Sequence, residues 1–267
     1  MGAVATATYK EWLEYRSHMA VSLFVGPVFF VVQYFIWNAV FSGLASAGVS
    51  TVRGFTLNQM LTYFGIAAVI NYLIFDSADW NLQMLIHIGK FTTFLLRPIS
   101  HLLYALAQKI GHRILGLIIE FIPIVALFSL VFRINLVPQN LFWALLSVSL
   151  SFLLFFLVNY CVGLSAFWLT KTNGIRRMFM LLRDICAGSF LPLLFFPDFL
   201  QNILFFLPFQ FISYVPIRVF IGSYQLAGRS FSIPEIVGLQ AVMVVVVFGL
   251  TRLLWRSGIR KFTGVGG

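Results

Sequence analysis

Long apolar runs alternate with short polar segments along this chain. The runs lie near residues 19–42, 57–75, 110–131, 140–169, 178–197 and 234–255. Each is long enough, or nearly so, to cover the ~30 Å hydrocarbon layer of a bilayer as a helix rising 1.5 Å per residue. Lipid offers the backbone no hydrogen-bond partner, so runs of this kind close their bonds internally as helices. The pattern predicts an all-α membrane protein with six transmembrane helices in a single transmembrane domain over residues 1–267. A seventh apolar stretch, 199–222, is broken by Pro208 and Pro216 and carries Gln201, Asn202, Gln210 and Arg218. It follows Pro197-Asp198 too closely for a turn and a full crossing. It is expected as an extracellular re-entrant hairpin of two short helices between spans five and six, tolerated where protein or water satisfies the backbone.

Two polar segments have a pattern of their own. Residues 5–18 form a short amphipathic stretch with Trp12 and Tyr15, which suits an N-terminal interfacial helix. The segment 76–101 opens on Asp76 and Ser77, good helix caps, and Met84, Ile88, Phe91 and Leu95 recur at spacings of four, three and four. That spacing predicts one surface helix with its apolar face down, ended by Arg97-Pro98 because proline disfavours helix at the residue before it. The first apolar run, Met19 to Phe41, is far longer than the core of a secretory signal, so it is expected as a retained span.

Composition fits this picture and charge orients it. The chain has 267 residues, 60% of them hydrophobic and 10% charged, against roughly 25% charged in a soluble domain. Lys10 and Arg16, then Lys90, Arg97, Lys109 and Arg113, then Lys171, Arg176, Arg177 and Arg183, then Arg252, Arg256, Arg260 and Lys261 all fall on one side of the expected membrane. Arg53, Arg133, Arg218 and Arg229 fall on the other. The excess marks the cytoplasmic side. Both termini are therefore expected there, as an even number of spans requires. The net charge of +10 is thereby distributed for membrane orientation and anionic headgroups rather than for nucleic acid.

Within the expected third span, Lys109, His112, Arg113, Gly116 and Glu120 share one helical face. Lys109 and Arg113 suit snorkelling to the headgroups. Glu120 lies deep in the apolar run, where a charge costs about 2.5–3.5 kcal/mol. With Arg113 and His112 it becomes a candidate for the translocation path or for an interhelical polar contact. Gln33, Asn38, Asn71 and Asn159 are amides suited to bonding between helices, and Asp184 beside Arg183 suits an interfacial ion pair. Cys161 and Cys186 sit in apolar runs as small hydrophobes. The chain has no G-x-x-x-x-G-K-[ST] phosphate loop and no H-E-x-x-H, and Gly163-Leu164-Ser165-Ala166-Phe167 breaks the G-x-S-x-G pattern at its last position. No catalytic, cofactor-binding or metal-binding residue is expected in it.

Three stretches, in order, resemble the permease subunits of ABC type-2 exporters, in the branch of about 260 residues described as ABC-2 family transporter proteins. The loop Ile86-His87-Ile88-Gly89-Lys90-Phe91-Thr92-Thr93-Phe94-Leu95-Leu96-Arg97-Pro98-Ile99 resembles a glycine and "L-L-[RK]-P" pattern between spans two and three. Phe205-Phe206-Leu207-Pro208-Phe209 through Pro216 and Gly222 resembles an "LPF…P…G" segment between spans five and six. Arg256-Ser257-Gly258-Ile259-Arg260-Lys261-Phe262 through Gly266-Gly267 resembles a basic tail with a terminal glycine pair. The chain departs from that family where acidic residues usually follow the loop glycine; here Lys90-Phe91-Thr92 stand instead.

The resemblance implies a six-span half-transporter in the plasma (bacterial inner) membrane, multi-pass and surrounded by lipid. It implies pairing with a second permease chain, as a homodimer or heterodimer, and docking of two cytoplasmic ATP-binding-cassette ATPase subunits that bind ATP and Mg. ATPase coupling would fall to Ile86, Ile88, Gly89, Lys90, Phe91, Arg97 and Pro98. Pro208, Phe209 and Pro216 would cap the extracellular end, and Gln33, Asn38, Asp184 and Gly188 become candidates for the dimer contact. The many aromatics suit an amphipathic or lipid-like cargo, and bulky packing against lipid explains them at least as well. The alternative is a secondary transporter run by an ion gradient, which predicts inverted repeats and broken helices near the midplane.

Overall fold

The structure, a computed structural model, describes residues 16–45, 48–117, 121–169 and 172–262. The expected interfacial helix 5–18 falls almost wholly outside them, as does Glu120. The chain divides into two compact units, Met1–Leu73 with Lys109–Gln139, and Ile74–Gln108 with Asn140–Gly267. Four helical stretches among the described residues are long and apolar enough to cross a membrane: Gly26–Ala45, Leu57–His87, Leu141–Phe167 and Ile233–Ile259.

The first unit is built on α1 (Arg16–Ala45) and α2 (Leu57–Ile74). Phe30 of α1 meets Phe128 and Phe132 edge-on at 5.1 and 4.8 Å, and Trp37 stacks on Phe64 of α2 at 6.2 Å. The opposite face of α1, with Val28, Val32, Phe35 and Ile36, is exposed, as lipid-facing residues are. At the start of α2, Thr56 N–H donates to Gln59 Oε1 (2.9 Å) and Gln59 N–H to Thr56 Oγ1 (3.3 Å). These are the reciprocal bonds of a capping box. Gly65 lets Ile134 press against α2, since a Cβ there would stand 2.6 Å from Ile134 Cδ1.

The second unit comprises α3 (Ala78–His87), α4 (Phe91–Leu95), the start of α5 (His101–Gly116), α7 (Leu141–Leu164), α8 (Asn173–Cys186), α9 (Asp198–Phe206), α10 (Tyr214–Ile221), a hairpin of β1 (Tyr224–Leu226) and β2 (Arg229–Phe231), and α11 (Ile233–Ile259). The short α6 (Ile122–Leu130) belongs to the first unit. Ser147 Oγ of α7 donates to Gln240 Oε1 of α11 (2.8 Å), and Cys161 and Thr251 share a hydrogen bond further along both helices. Numbers rise together on the two sides, so α7 and α11 run parallel. The chain between them must therefore return to the level at which it started. α8 begins that return: Thr172 and Arg176 lie beside α3 near Val162, Arg183 reaches Asn159, and Ala187 O accepts from Tyr214 N–H.

That path corrects the fifth expected run. Residues 178–197 are not one helix. α8 starts earlier and stops at Cys186, where Gly188 takes φ +80° and Pro192 and Pro197 follow. α8 is also turned inside out. Arg183 is buried while Ile175, Met178, Leu181 and Leu182 are about half exposed. The third run, 110–131, holds the end of α5 and all of α6, with residues 118–120 between them outside the described set.

The stretch 199–222 does form short helices, as its prolines require. Its polar residues close the irregular backbone: Gln201 Nε2 donates to Leu194 O and Phe196 O while its Oε1 accepts from Ala227 N–H. The fully buried Gln210 donates to Phe205 O and accepts from the Tyr224 hydroxyl. The β-hairpin that follows turns on Ala227 (φ +54°) and Gly228 (φ +71°), the positive angles a two-residue hairpin turn demands. The sequence pattern had offered no strand here.

Candidate functional site

The residues with the most chemistry to explain gather where α3 meets α7 and α8. The helical stretch from Leu57 breaks at Phe75-Asp76-Ser77, because Asp76 bonds its own backbone: its carboxylate accepts from Ala78 N–H at 3.1 Å. The freed Asp76 carbonyl accepts from Asn159 Nδ2 of α7 at 3.1 Å. α3 then lies tightly on α7 at Gly163, where a Cβ would meet the Asp79 backbone at 3.2 Å and Leu82 Cβ at 3.1 Å.

Asp79 and Gln83, one turn apart, occupy the buried face of α3 beside Leu82 and Ile86. They meet two residues one turn apart on α8 and its cap. Thr172 Oγ1 donates to Gln83 Oε1 at 3.0 Å, and Arg176 Nη1 donates to Asp79 Oδ2 at 3.2 Å. Gln83 Nε2 donates to Val162 O at 3.2 Å, and the Arg176 guanidinium covers the Trp80 ring at 4.9 Å. Deeper, Arg183 donates to Asn159 Oδ1 and to Asp184 at 2.8 Å, and lies 4.3 Å from the centre of the Phe155 ring. A buried charge is tolerated where it is paired and hydrogen-bonded in this way. The result is a polar ladder fixing α3 to two neighbours.

Beyond His87 the chain turns out and back. Gly89 has φ +73°, a left-handed conformation that favours glycine, and its carbonyl accepts from Thr92 Oγ1 at 2.7 Å. The single surface helix expected over this segment is thus two helices, α3 and α4. Of its expected apolar face, Met84, Ile88 and Leu95 are exposed, as residues on lipid are, while Phe91 is buried together with Leu82, Ile86 and Phe94. Phe91, fully buried, meets Phe167, Trp255 and Phe262 edge-on at 5.4, 5.8 and 5.3 Å. His101 stacks on Trp255 and shares a 2.9 Å hydrogen bond with the Tyr160 hydroxyl. Burial lowers its pKa from the usual 6.5 to about 4, so it is neutral at pH 7. Ile88, Lys90, Leu96, Arg97 and Pro98 remain exposed around the turn.

Residues 24–266 match the family model of the ABC-2 family transporter proteins. The chain belongs to that family. It is a multi-pass membrane protein and the transport component of its system, a permease rather than a catalyst. No curated protein and no solved structure matches it.

In this ABC-2 permease the expected coupling residues therefore split into two sets. Ile86 and Phe91 anchor the α3–α4 element, while Ile88, Gly89, Lys90, Arg97 and Pro98 form its outer turn. The ladder partners Thr172 and Arg176 were not singled out from the sequence, although Asp79 and Gln83 at i and i+4 beside the buried Leu82 and Ile86 were a signal for them. In the other unit, Arg113 Nη1 donates to Tyr72 O at 2.7 Å and the guanidinium covers the Tyr72 ring. His112 is half buried. Gln33 accepts from Trp37 Nε1 and Asn38 donates to Tyr34 O, both along α1 itself. In the second unit, Asp184 is paired with Arg183 and Gly188 is the buried turn after α8. Pro208 opens a single turn whose Phe209 meets Phe179 of α8 at 6.0 Å, and Pro216 is buried in α10. Among the described residues no group of three His, Cys, Asp or Glu is placed to hold a metal.

Proposed function

We propose that this chain is the transmembrane subunit of an ATP-driven exporter that moves an amphipathic or lipid-like substrate out of the cytoplasm of a bacterial cell. It crosses the inner membrane six times with both termini in the cytoplasm, pairs with a second permease chain, and receives two separate ATPase subunits at the α3–α4 turn. The observation that carries this reading is the seating of α3. A short helix with an exposed turn at one end is tied by buried polar bonds to both α7 and α8, so a push on the turn displaces two membrane helices together. The parallel course of α7 and α11 calls for one return between them, which α8 begins, as the six-span order requires. The short helices after Pro197, held to α8 through Tyr214 N–H and Ala187 O and through Ser189 and Ser213, would carry that displacement to the extracellular end.

The test is purification of the tagged chain from its native membrane in mild detergent, with identification of any nucleotide-binding subunit and measurement of vanadate-sensitive ATP hydrolysis. Gly89→Pro is expected to abolish recovery of the ATPase, since proline can neither adopt φ +73° nor donate the Gly89 N–H to Ile86 O. Isolation of a folded chain without ATPase or ATP hydrolysis would refute the reading and put ion-gradient transport in its place.

A further inference from the structure

The end of α11 is built into the same surface as the α3–α4 turn. Gly258 allows the approach: a Cβ there would lie 2.4 Å from Phe167 Cδ2 and 3.1 Å from Trp168. Phe167 in turn meets Phe91, Trp255 and Phe262 at 5.4, 6.0 and 5.7 Å. After Ile259 the chain turns, with Lys261 N–H donating to Gly258 O, and Phe262 folds back onto Phe91 of α4. This aromatic box holds two basic segments side by side, Lys90 and Arg97 on one and Arg256, Arg260 and Lys261 on the other. All five are exposed, and neither 88–100 nor 252–262 contains an acidic residue.

The length of α11 decides what this charge can meet. Its uncharged segment, Ile236–Thr251, is bounded by Glu235 and Arg252 and spans about 24 Å at 1.5 Å per residue. Centred on a hydrocarbon layer of about 30 Å, it sets the membrane edge near Leu253 and Leu254. Arg252 then snorkels at that edge, its guanidinium over the Phe248 ring. Arg256 falls among the headgroups. Ile259, the last residue of α11, stands about 8 Å past the edge, so the turn that carries Arg260 and Lys261 begins outside a headgroup layer of about 5–7 Å. Charges at that height face a protein more than they face lipid.

We propose that Arg256, Arg260 and Lys261 form, with Lys90 and Arg97, one electropositive docking surface, and that its occupant is an acidic patch on the ATPase subunit. The proposal rests on the exporter reading above and adds to it the end of α11, far away in sequence from the turn. Arg260 and Lys261 on this surface steer the partner and fix its register, while Leu96 and Ile88, both exposed around the α3–α4 turn, supply apolar contact.

The experiment uses the full chain in lipid nanodiscs with the ATPase subunit recovered from its native membrane. Retained ATPase is measured between about 0.05 and about 0.3 M salt for the natural chain, for Arg256→Glu/Arg260→Glu/Lys261→Glu, for the same three positions changed to lysine or arginine, and for Gly89→Pro. Charge reversal is expected to lower retention about tenfold and flatten its salt dependence, with the charge-conserving variant close to the natural chain. Natural levels of ATPase in the reversed variant, with Gly89→Pro losing it, would overturn this proposal alone. Loss of bound anionic phospholipid with ATPase retained would overturn it in favour of a lipid site. A natural chain that holds no ATPase would overturn the exporter reading itself. Should the triple variant fail to reach the membrane, Arg260→Gln and its salt dependence give the same decision.

Discussion

The Asp79–Arg176 pair predicts an asymmetry that a simple count of contacts does not. The side chain of Asp79 is 3% exposed and that of Arg176 is 17% exposed. Changing Arg176 to Gln strands a carboxylate that has no route to water, and breaking a buried pair in that sense costs about 3–5 kcal/mol. The first-turn position of Asp79 in α3 returns up to about 1 kcal/mol through the helix dipole, leaving about 2–4. Changing Asp79 to Asn strands the guanidinium instead. That group keeps its place over Trp80, worth about 1 kcal/mol, and has a partly open path to solvent, so the expected cost is about 1–2 kcal/mol. Arg176→Gln should therefore lower the apparent unfolding temperature in detergent by roughly twice as much as Asp79→Asn. At about 2–4 °C per kcal/mol the two variants separate clearly. The double variant should be less destabilised than the sum of the two, by about 1–3 kcal/mol of coupling. Equal single costs, or additive ones, would refute the view that these two charges form a buried unit.

Other outcomes follow from particular contacts. Gly258→Ala should lower stability by about 1–3 kcal/mol and open 252–262 to trypsin, because Phe167 blocks a Cβ; unchanged proteolysis would contradict the aromatic box. Gln240→Ala removes the partner of Ser147 and frees Phe211 O, at a cost of about 1–3 kcal/mol in thermal unfolding, whereas the exposed Leu253→Ala should cost under about 0.5. His101, held neutral with a pKa of about 4, contributes stability that is full above pH 6.5. That stability falls as the pH drops towards 4, because the unfolded chain takes up the proton first. The loss reaches about 3 kcal/mol, and an unfolding series across that window should flatten in His101→Phe.

The four spanning stretches were legible because a run of twenty apolar residues has few other solutions, and local packing hardly matters to that decision. What the periodicity could not reveal was where a helix stops. Counting Met84, Ile88, Phe91 and Leu95 as one face carries the period through Gly89, where the helix ends and the phase is lost. The buried face instead follows Asp79, Leu82, Gln83 and Ile86, and two of these, Asp79 and Gln83, are polar residues that hydropathy assigns to water. α8 was placed too late for the same reason. Arg176 and Arg183 looked like loop charges, although their spacing of seven set them on one side with Ile175, Met178 and Leu182 on the other. The short helices after Pro197 were readable from their prolines and amides, while the turn at Ala227-Gly228 was too short a signal for the hairpin it makes. Of the candidate site, the turn from Ile86 to Pro98 was visible as local sequence. Its fixation through Thr172, Arg176 and Asn159 was not, because those contacts join residues about 80–100 positions apart and nothing local specifies them.

The reversed polarity of α8 also bears on how the chain is made. A helix with Arg176, Arg177, Arg183 and Asp184 would lose about 2.5–3.5 kcal/mol for each charge brought near the bilayer centre, against about 0.3–0.6 gained for each Leu or Ile. No insertion machinery sorting segments by greasiness would admit it alone. Asp79, Gln83, Asn159 and the face of Phe155, which between them receive Arg176, Arg183 and its cap, all lie upstream, so they leave the ribosome ahead of α8. Direction of synthesis therefore assists the folding: α3 and α7, made first, form the berth that α8 fills.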